Sequence, residues 1–351
     1  LSYFLKYGLK LKERKQASID PAEFGTYVHS VLENTARTIM EQGGFHNVSV
    51  DEALRIAGSY SDEYIKERFS QLDSERVSYL LRRNSSEMIL IVRELWQELR
   101  DSKFEPVDFE LGFGFGGDMP AIKVFGSDLD ANLRGFVDRV DRWQDDQRTY
   151  FRVVDYKTGK KDLDYCDIFN GIGLQMLLYL FALEQEGGCL LGENPIPAGV
   201  QYFPARVPLV SADGILSNEE AATERGKLWK RKGLVLNEGT VLDAMESPDQ
   251  ENRMPFTRKK DGSISGDIAS REQFAILKEY IFGLLTKMVD DISCGNIGAN
   301  PYTRGASHNA CTYCPFSSIC HLDHVTERRN YKTVSAQQFW EDVNKEVKGH
   351  V

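Results

Sequence analysis

The 351-residue chain reads as an α/β protein, a central mixed sheet flanked by helices and carrying helical insertions. Three observations predict this. Leu133–Trp143 and Tyr150–Tyr156 alternate like the two strands of a hairpin around the polar turn Gln144-Asp145-Asp146-Gln147. Asp167–Glu186 then carries helical apolar spacing at Ile168, Ile172, Leu177, Leu178, Leu180 and Leu183, and Ala198–Phe203 returns as a strand, the strand–helix–strand spacing of a right-handed crossover. Residues 50–102 are helical by pattern throughout and form an insertion ahead of the sheet.

Taken in order, Leu1–Leu11 mixes aromatics with lysines and forms either a helix or a packed lead-in. Because residue 1 is Leu and not Met, a fragment of a longer chain is expected. Asp20-Pro21-Ala22-Glu23 is a helix start, with Asp20 as N-cap, Pro21 at the first helical position and Glu23 completing a capping box. The helix that follows sets Val28, Val31, Leu32 and Ile39 on its core side, with His29 beside that stripe. By itself His29 reads as a core or surface histidine, and Glu33, one turn on, either orients the imidazole or sits on the helix surface. In the insertion, Val77, Leu80, Leu81, Met88, Ile91, Val92, Leu95 and Leu99 make one apolar stripe, with a break expected at Arg82–Ser86.

The sheet region begins near Phe104, with strands at Leu111–Phe115 and Ala121–Phe125 and a Gly-rich turn between them. No helix start follows those glycines, so they are strand and turn, not a phosphate cradle. Residues 106–206 form the catalytic sheet and its following helix. Beyond it, Ser217 and Glu220 can cap a helix, and Arg225, Lys227, Lys230, Arg231 and Lys232 surround Trp229, a backbone-contacting surface or a solvated face. Arg253–Ser263 reads as a turn or loop, and Arg271–Asn296 as an amphipathic helix burying Leu277, Ile281, Leu284, Met288 and Ile292.

Composition is that of a soluble globular protein, 41% hydrophobic and 27% charged. No run approaches the ~18 apolar residues of a membrane span, and there is no signal-peptide pattern. A formal charge of −10 favours an acidic, cytoplasmic protein and does not advertise a nucleic-acid binder. Cys166, Cys189 and Cys294 are scattered, as in a reducing compartment.

Pairing the two hairpin strands brings Asp138 and Asp155 toward one end of a sheet, and Lys157 projects to the same side as Asp155. Two carboxylates and an ammonium suit phosphodiester hydrolysis. Hard Mg²⁺ takes carboxylate oxygens and keeps waters, and Lys157 can orient the attacking water or stabilise charge in the transition state. Gln175 and Tyr179, at i and i+4, share one helix face from which they can contact the substrate backbone. Asp141, three residues after Asp138, reads as structural or surface. A second cluster, Cys311, Cys314 and Cys320, is a metal-binding pattern, and with His308 or His321 it fits zinc as well as iron–sulfur.

The ordered set His29, Gly135-Phe136-Val137-Asp138, Asp155-Tyr156-Lys157 and Gln175-x-x-x-Tyr179 resembles the RecB-type branch of the PD-(D/E)XK nucleases. That resemblance implies a restriction-endonuclease-like core and a Mg²⁺- or Mn²⁺-dependent DNA exonuclease. It also implies metal ligation by His29, Asp138, Asp155 and the Tyr156 carbonyl, with Lys157, Gln175 and Tyr179 as further catalytic residues. The Cys-x-x-Cys-Pro-x-x-x-x-Cys stretch in 299–324, the Tyr202–Arg206 strand and the Lys232-Gly233-Leu234 turn are similar to the C-terminal nuclease domains of the AddB family of bacterial helicase–nuclease subunits. This likeness implies a 4Fe-4S cluster on Cys311, Cys314, Cys320 and a fourth cysteine upstream of Leu1, hence a lost or incomplete cluster here. It further implies a helicase-like N-terminal portion, an AddA-type partner subunit, a DNA substrate, single-stranded or unwound, and a role in double-strand break repair and recombination. Two other readings stay open: a catalytically inactive DNA-binding or scaffold module, and a zinc-stabilised interaction domain.

Overall fold

The computed structural model describes residues 4–11, 21–69, 75–114, 116–212, 214–250, 253–296, 298, 300–305, 309–312, 314–320 and 328–349. After one wide helical turn at Phe4–Gly8, three helices follow: α1 (Pro21–Glu41), α2 (Val50–Phe69) and α3 (Glu75–Asp101). The strands β1 (Glu105–Phe113), β2 (Ile122–Phe125), β3 (Asp130–Leu133), β4 (Gly135–Gln144) and β5 (Thr149–Lys157) come next. Then come α4 (Tyr165–Phe169), α5 (Gln175–Glu186), α6 (Gly188–Leu191), β6 (Ile196–Pro204), α7 (Asn218–Leu228), β7 (Lys232–Leu236) and α8 (Gly239–Met245). The last part holds β8 (Phe256–Arg258), β9 (Ile264–Gly266), β10 (Ile268–Ala269), α9 (Arg271–Ser293), β11 (Tyr302–Thr303), α10 (Ser317–Cys320), β12 (Arg329–Asn330) and α11 (Ala336–Gly349).

Six strands form one mixed sheet in the order β1-β4-β5-β6-β7-β10. β1, β4 and β5 are antiparallel, β5 and β6 are parallel through α4 to α6, and β6 and β7 are antiparallel. Each face carries its own core. On one side Val153, Val200, Leu234 and Leu180 join α5 and α9, and on the other Val154, Tyr156 and Phe203 join Val28, Val31 and Leu32 of α1 and Val92 and Leu95 of α3. The central strand β5 is therefore apolar almost throughout, while its neighbours alternate.

Alternation fails at one place. Phe109 and Leu111 belong to different cores although two residues apart, and Val137 shares a core with Val140, not with Arg139, which is buried against Glu98 of α3. The break falls on Glu110, whose φ is +50°, and on Asp138, the residue between its paired neighbours on β4. Both carboxylates are thereby turned out of the regular pleat at the point where β4 leaves its ladder with β5, whose last pair is Arg139 with Val154.

An ionic group welds α3 to the sheet. Glu98 accepts from Arg139 (2.9 Å), Arg152 (3.3 Å) and Arg231 (2.7 Å), and Asp141 accepts from Arg139 (3.0 Å) and Arg152 (2.8 Å), all with side chains essentially fully buried.

Several elements differ from the sequence reading. The Asp20 cap lies outside the described residues. No break occurs at Arg82–Ser86; α3 runs through it, held by the Arg83–Glu87 pair (3.0 Å) and by the Ser86 hydroxyl donating to the Arg82 carbonyl (3.0 Å). The helix expected over Asp167–Glu186 is divided, because Gly171 and Gly173 take φ of +74° and +69° and let the chain turn between α4 and α5. Lys232-Gly233-Leu234 is a strand, not a turn, and Arg253–Ser263 supplies one strand of a hairpin. The basic surface around Trp229 does not form either: Arg231 and Trp229 are buried, Lys230 donates to the Phe256 carbonyl, Lys227 pairs with Glu224 and Lys232 with Asp162. On α9, Met288 and Ile292 are exposed instead of core. α11, which closes over α4 and α9 with Phe339 and Val343 buried, has no counterpart in the sequence reading.

Candidate active site

His29 is delivered by α1, whose Val28, Val31 and Leu32 are wholly buried and so fix the helix roll. Its Nε2 lies 2.8 Å from the Tyr156 carbonyl, which leaves Nδ1 facing Asp138 Oδ2 at 3.5 Å and Glu110 Oε1 at 3.9 Å. Asp138 is held in turn by the Tyr156 backbone N–H, which donates to Oδ2 at 2.6 Å. One ligand atom from each of His29, Glu110 and Asp138 lies within 4.8 Å of the others, the one group of this kind among the described residues.

Asp155 and Lys157 stand next to this trio as an ion pair of 2.5 Å. The buried Tyr202 lies opposite Asp155 on β6, and burial together with the Asp155 charge pushes its phenol up to about 12. The pocket is open: the side chains of His29, Glu110 and Lys157 are 28%, 37% and 37% exposed. Burial raises the Asp138 carboxyl; the His29 charge and the Tyr156 N–H oppose, Asp155 and Glu110 add, and the outcome is about 6. Burial works against a charged His29, but Glu110, Asp138 and the Tyr156 carbonyl outweigh it and raise the imidazole above its ordinary value. Negative charge is thus concentrated where a cation would relieve it.

Gln175 opens α5 and its Nε2 donates to the Tyr179 hydroxyl at 2.9 Å. Tyr179 stacks on Phe113 with ring centres 5.4 Å apart, and its hydroxyl presses on Gly135: a Cβ there would lie 1.8 Å from that oxygen. The glycine three residues before Asp138 therefore makes room for the tyrosine of the later motif, tying α5 to the start of β4.

Other residues named from the sequence stand elsewhere. Asp141 lies in the buried ionic group, and Glu33 binds Arg37 (2.9 Å), not the imidazole. The Tyr156 carbonyl, named as a ligand, is engaged by His29 Nε2. Cys311, Cys314 and Cys320 are half-buried free thiols whose sulfurs do not all lie within 4.8 Å of one another, and His308 and His321 fall outside the described residues. Glu110 escaped the sequence reading altogether. Its signal was a lone carboxylate inside the apolar run Phe109-Glu110-Leu111-Gly112-Phe113, hidden because the strand was started one residue too late.

A family model described as the PD-(D/E)XK nuclease superfamily matches residues 1–321. A curated Clostridium acetobutylicum protein, named as the B-type subunit of an ATP-dependent helicase/deoxyribonuclease, is 31% identical over 357 residues, covering 99% of this chain and 31% of its own length. Proteins of the same name from Clostridium novyi (32% over 357 residues, 98% and 31%) and Oceanobacillus iheyensis (31% over 347 residues, 94% and 29%) are similar to the same degree. The chain spans about a third of the length of these relatives.

Proposed function

This chain belongs to the PD-(D/E)XK nuclease superfamily, and we propose that it is a metal-dependent deoxyribonuclease domain that hydrolyses phosphodiesters at the His29–Asp138–Asp155–Lys157 pocket. The observation that carries the reading is the convergence of His29 Nδ1, Glu110 and Asp138 beside the Asp155–Lys157 pair. Carboxylate oxygens with one imidazole nitrogen suit Mg²⁺ or Mn²⁺, and the raised Asp138 carboxyl marks a cluster of uncompensated charge that fits such an ion. His29, Asp138 and Asp155 would hold it, with the Tyr156 carbonyl at the same edge. When bound, the cation supplies charge neutralisation at the phosphate and a water of lowered pKa.

The chain's own groups do the rest. The Lys157 ammonium, anchored by Asp155 yet exposed at the mouth, donates to a phosphate oxygen or to the attacking water and offsets developing charge. His29 keeps Asp138 oriented, and Gln175 and Tyr179 position the strand from α5. The names of the relatives favour the finer reading of an AddB-type subunit, working with an AddA-type helicase subunit on DNA ends during break repair in the cytoplasm. Among the described residues no helix is long and apolar enough to cross a membrane. In that setting Cys311, Cys314 and Cys320 offer three thiolates of an iron–sulfur site that is completed from outside this sequence.

The test is cleavage of labelled single-stranded DNA with Mg²⁺ by this chain and by Lys157→Ala. Cleavage that chelation abolishes, and that Lys157→Ala loses while still binding DNA, is the expected result; full cleavage by the variant removes Lys157 from the reaction. A chain that binds DNA and never cuts, alone or in the full subunit with its partner, is an inactive scaffold.

A further inference from the structure

The outer surface of the β1–β4 ribbon carries two successive cross-strand neighbours. Glu110 faces Asp138, between the paired residues Phe109–Arg139 and Leu111–Val137, and the next pair is Gly112 with Phe136. Leu111 and Val137, between them, are buried in the core, so Phe136 and Asp138 flank an inward residue and both point away from that core. Two residues along a strand is a rise of about 7 Å. An aromatic ring thus stands beside the metal-ligating trio, within reach of one nucleotide.

The ring is 59% exposed, which is unusual for a phenylalanine in the middle of a sheet ribbon, and its partner on β1 has no side chain to cover it. A Cβ on Gly112 would lie 3.1 Å from the ring, so the glycine leaves a shallow recess in which the ring rests on backbone. Backbone contact orients the ring and leaves its aromatic surface to solvent.

We propose that Phe136 is a nucleobase-stacking platform that seats the base next to the scissile phosphate, and that it makes unpaired DNA the substrate. This rests on the nuclease reading. Every base presents a π-face, so stacking tolerates any sequence, but the base must be out of a duplex to present it. Pairing is selected against at the ring, while the carboxylates and Lys157 act on the phosphate common to all nucleotides. Phe136 is a positioning residue: it touches the base, not the reacting atoms.

The test uses the Lys157→Ala chain, which keeps DNA intact with Mg²⁺ present, and oligothymidylates carrying one 2-aminopurine at successive positions. With Phe136, fluorescence is quenched at one or two positions. With Phe136→Leu the quench disappears and the single-strand Kd rises about ten-fold, while affinity for a blunt duplex is unchanged; Phe136→Trp restores both. A Phe136→Leu protein with wild-type circular dichroism that retains the quench, or a parent that shows none, overturns the proposal and leaves the ring as a cover for Gly112. Failure of the nuclease reading is seen separately, as absence of cleavage by the chain with Lys157 intact, since the quench is read without any cutting.

Discussion

Replacing Glu98 by glutamine keeps the side chain's shape and removes one negative charge from a place that water does not reach. Three fully buried guanidiniums, Arg139, Arg152 and Arg231, then face only Asp141 and the rim carboxylate Glu94. Burial by itself pushes the Glu98 carboxyl up, but Arg231, Arg139 and Arg152 pull harder and hold it at about 2 against an ordinary 4.5. A depression of that size corresponds to about 3 kcal/mol, at the lower edge of the ~3–5 kcal/mol typical of breaking a buried ion pair. Because the folded-state value is depressed, this stability is fully present above pH 4.5 and is lost as pH falls toward 2. Urea unfolding followed by far-ultraviolet circular dichroism should therefore show Glu98→Gln less stable by about 3 kcal/mol at pH 7, and the gap should narrow by about 1 kcal/mol at pH 3.5. A loss below about 1 kcal/mol, or a gap that does not change between the two pH values, would refute the claim that this carboxylate is the electrostatic pin between α3 and the sheet.

The same style of measurement applies at two further positions. Gly135→Ala drives a methyl into the Tyr179 hydroxyl, 1.8 Å from its ideal place, and should cost roughly 1–3 kcal/mol; Tyr179→Phe in the same chain should recover part of the loss, and strictly additive effects would deny the contact. At Glu110, φ +50° penalises any residue with a Cβ by ~1–2 kcal/mol, of which glycine's extra chain entropy cancels ~0.5–1. Glu110→Gly should thus be more stable than Glu110→Ala by roughly 0.5 kcal/mol or more, while both weaken Mn²⁺ binding in titration calorimetry; an alanine variant that is the more stable, or unchanged Mn²⁺ affinity in both, contradicts the role assigned to this residue.

The sequence was enough for whatever depends on neighbours along the chain. The hairpin carrying Asp138 and Asp155, the apolar stripe behind His29, the Ser217 capping box and the i, i+4 pairing of Gln175 with Tyr179 are local patterns, and each is present. Motif order along the chain also carried the family. What the sequence could not show depends on partners far away in the chain. Arg231 and Trp229 sit in a run of basic residues that looks like a surface, yet Glu98, 133 residues earlier, and the Pro204 carbonyl draw them inside. Glu110 became part of the site only because β1 pairs with β4, and because both strands reverse their facing there. Periodicity records which face of an element avoids water. It cannot record which distant charge will meet that face, or where a pleat must break so that carboxylates, otherwise turned to opposite sides of a sheet, share one cation-sized space.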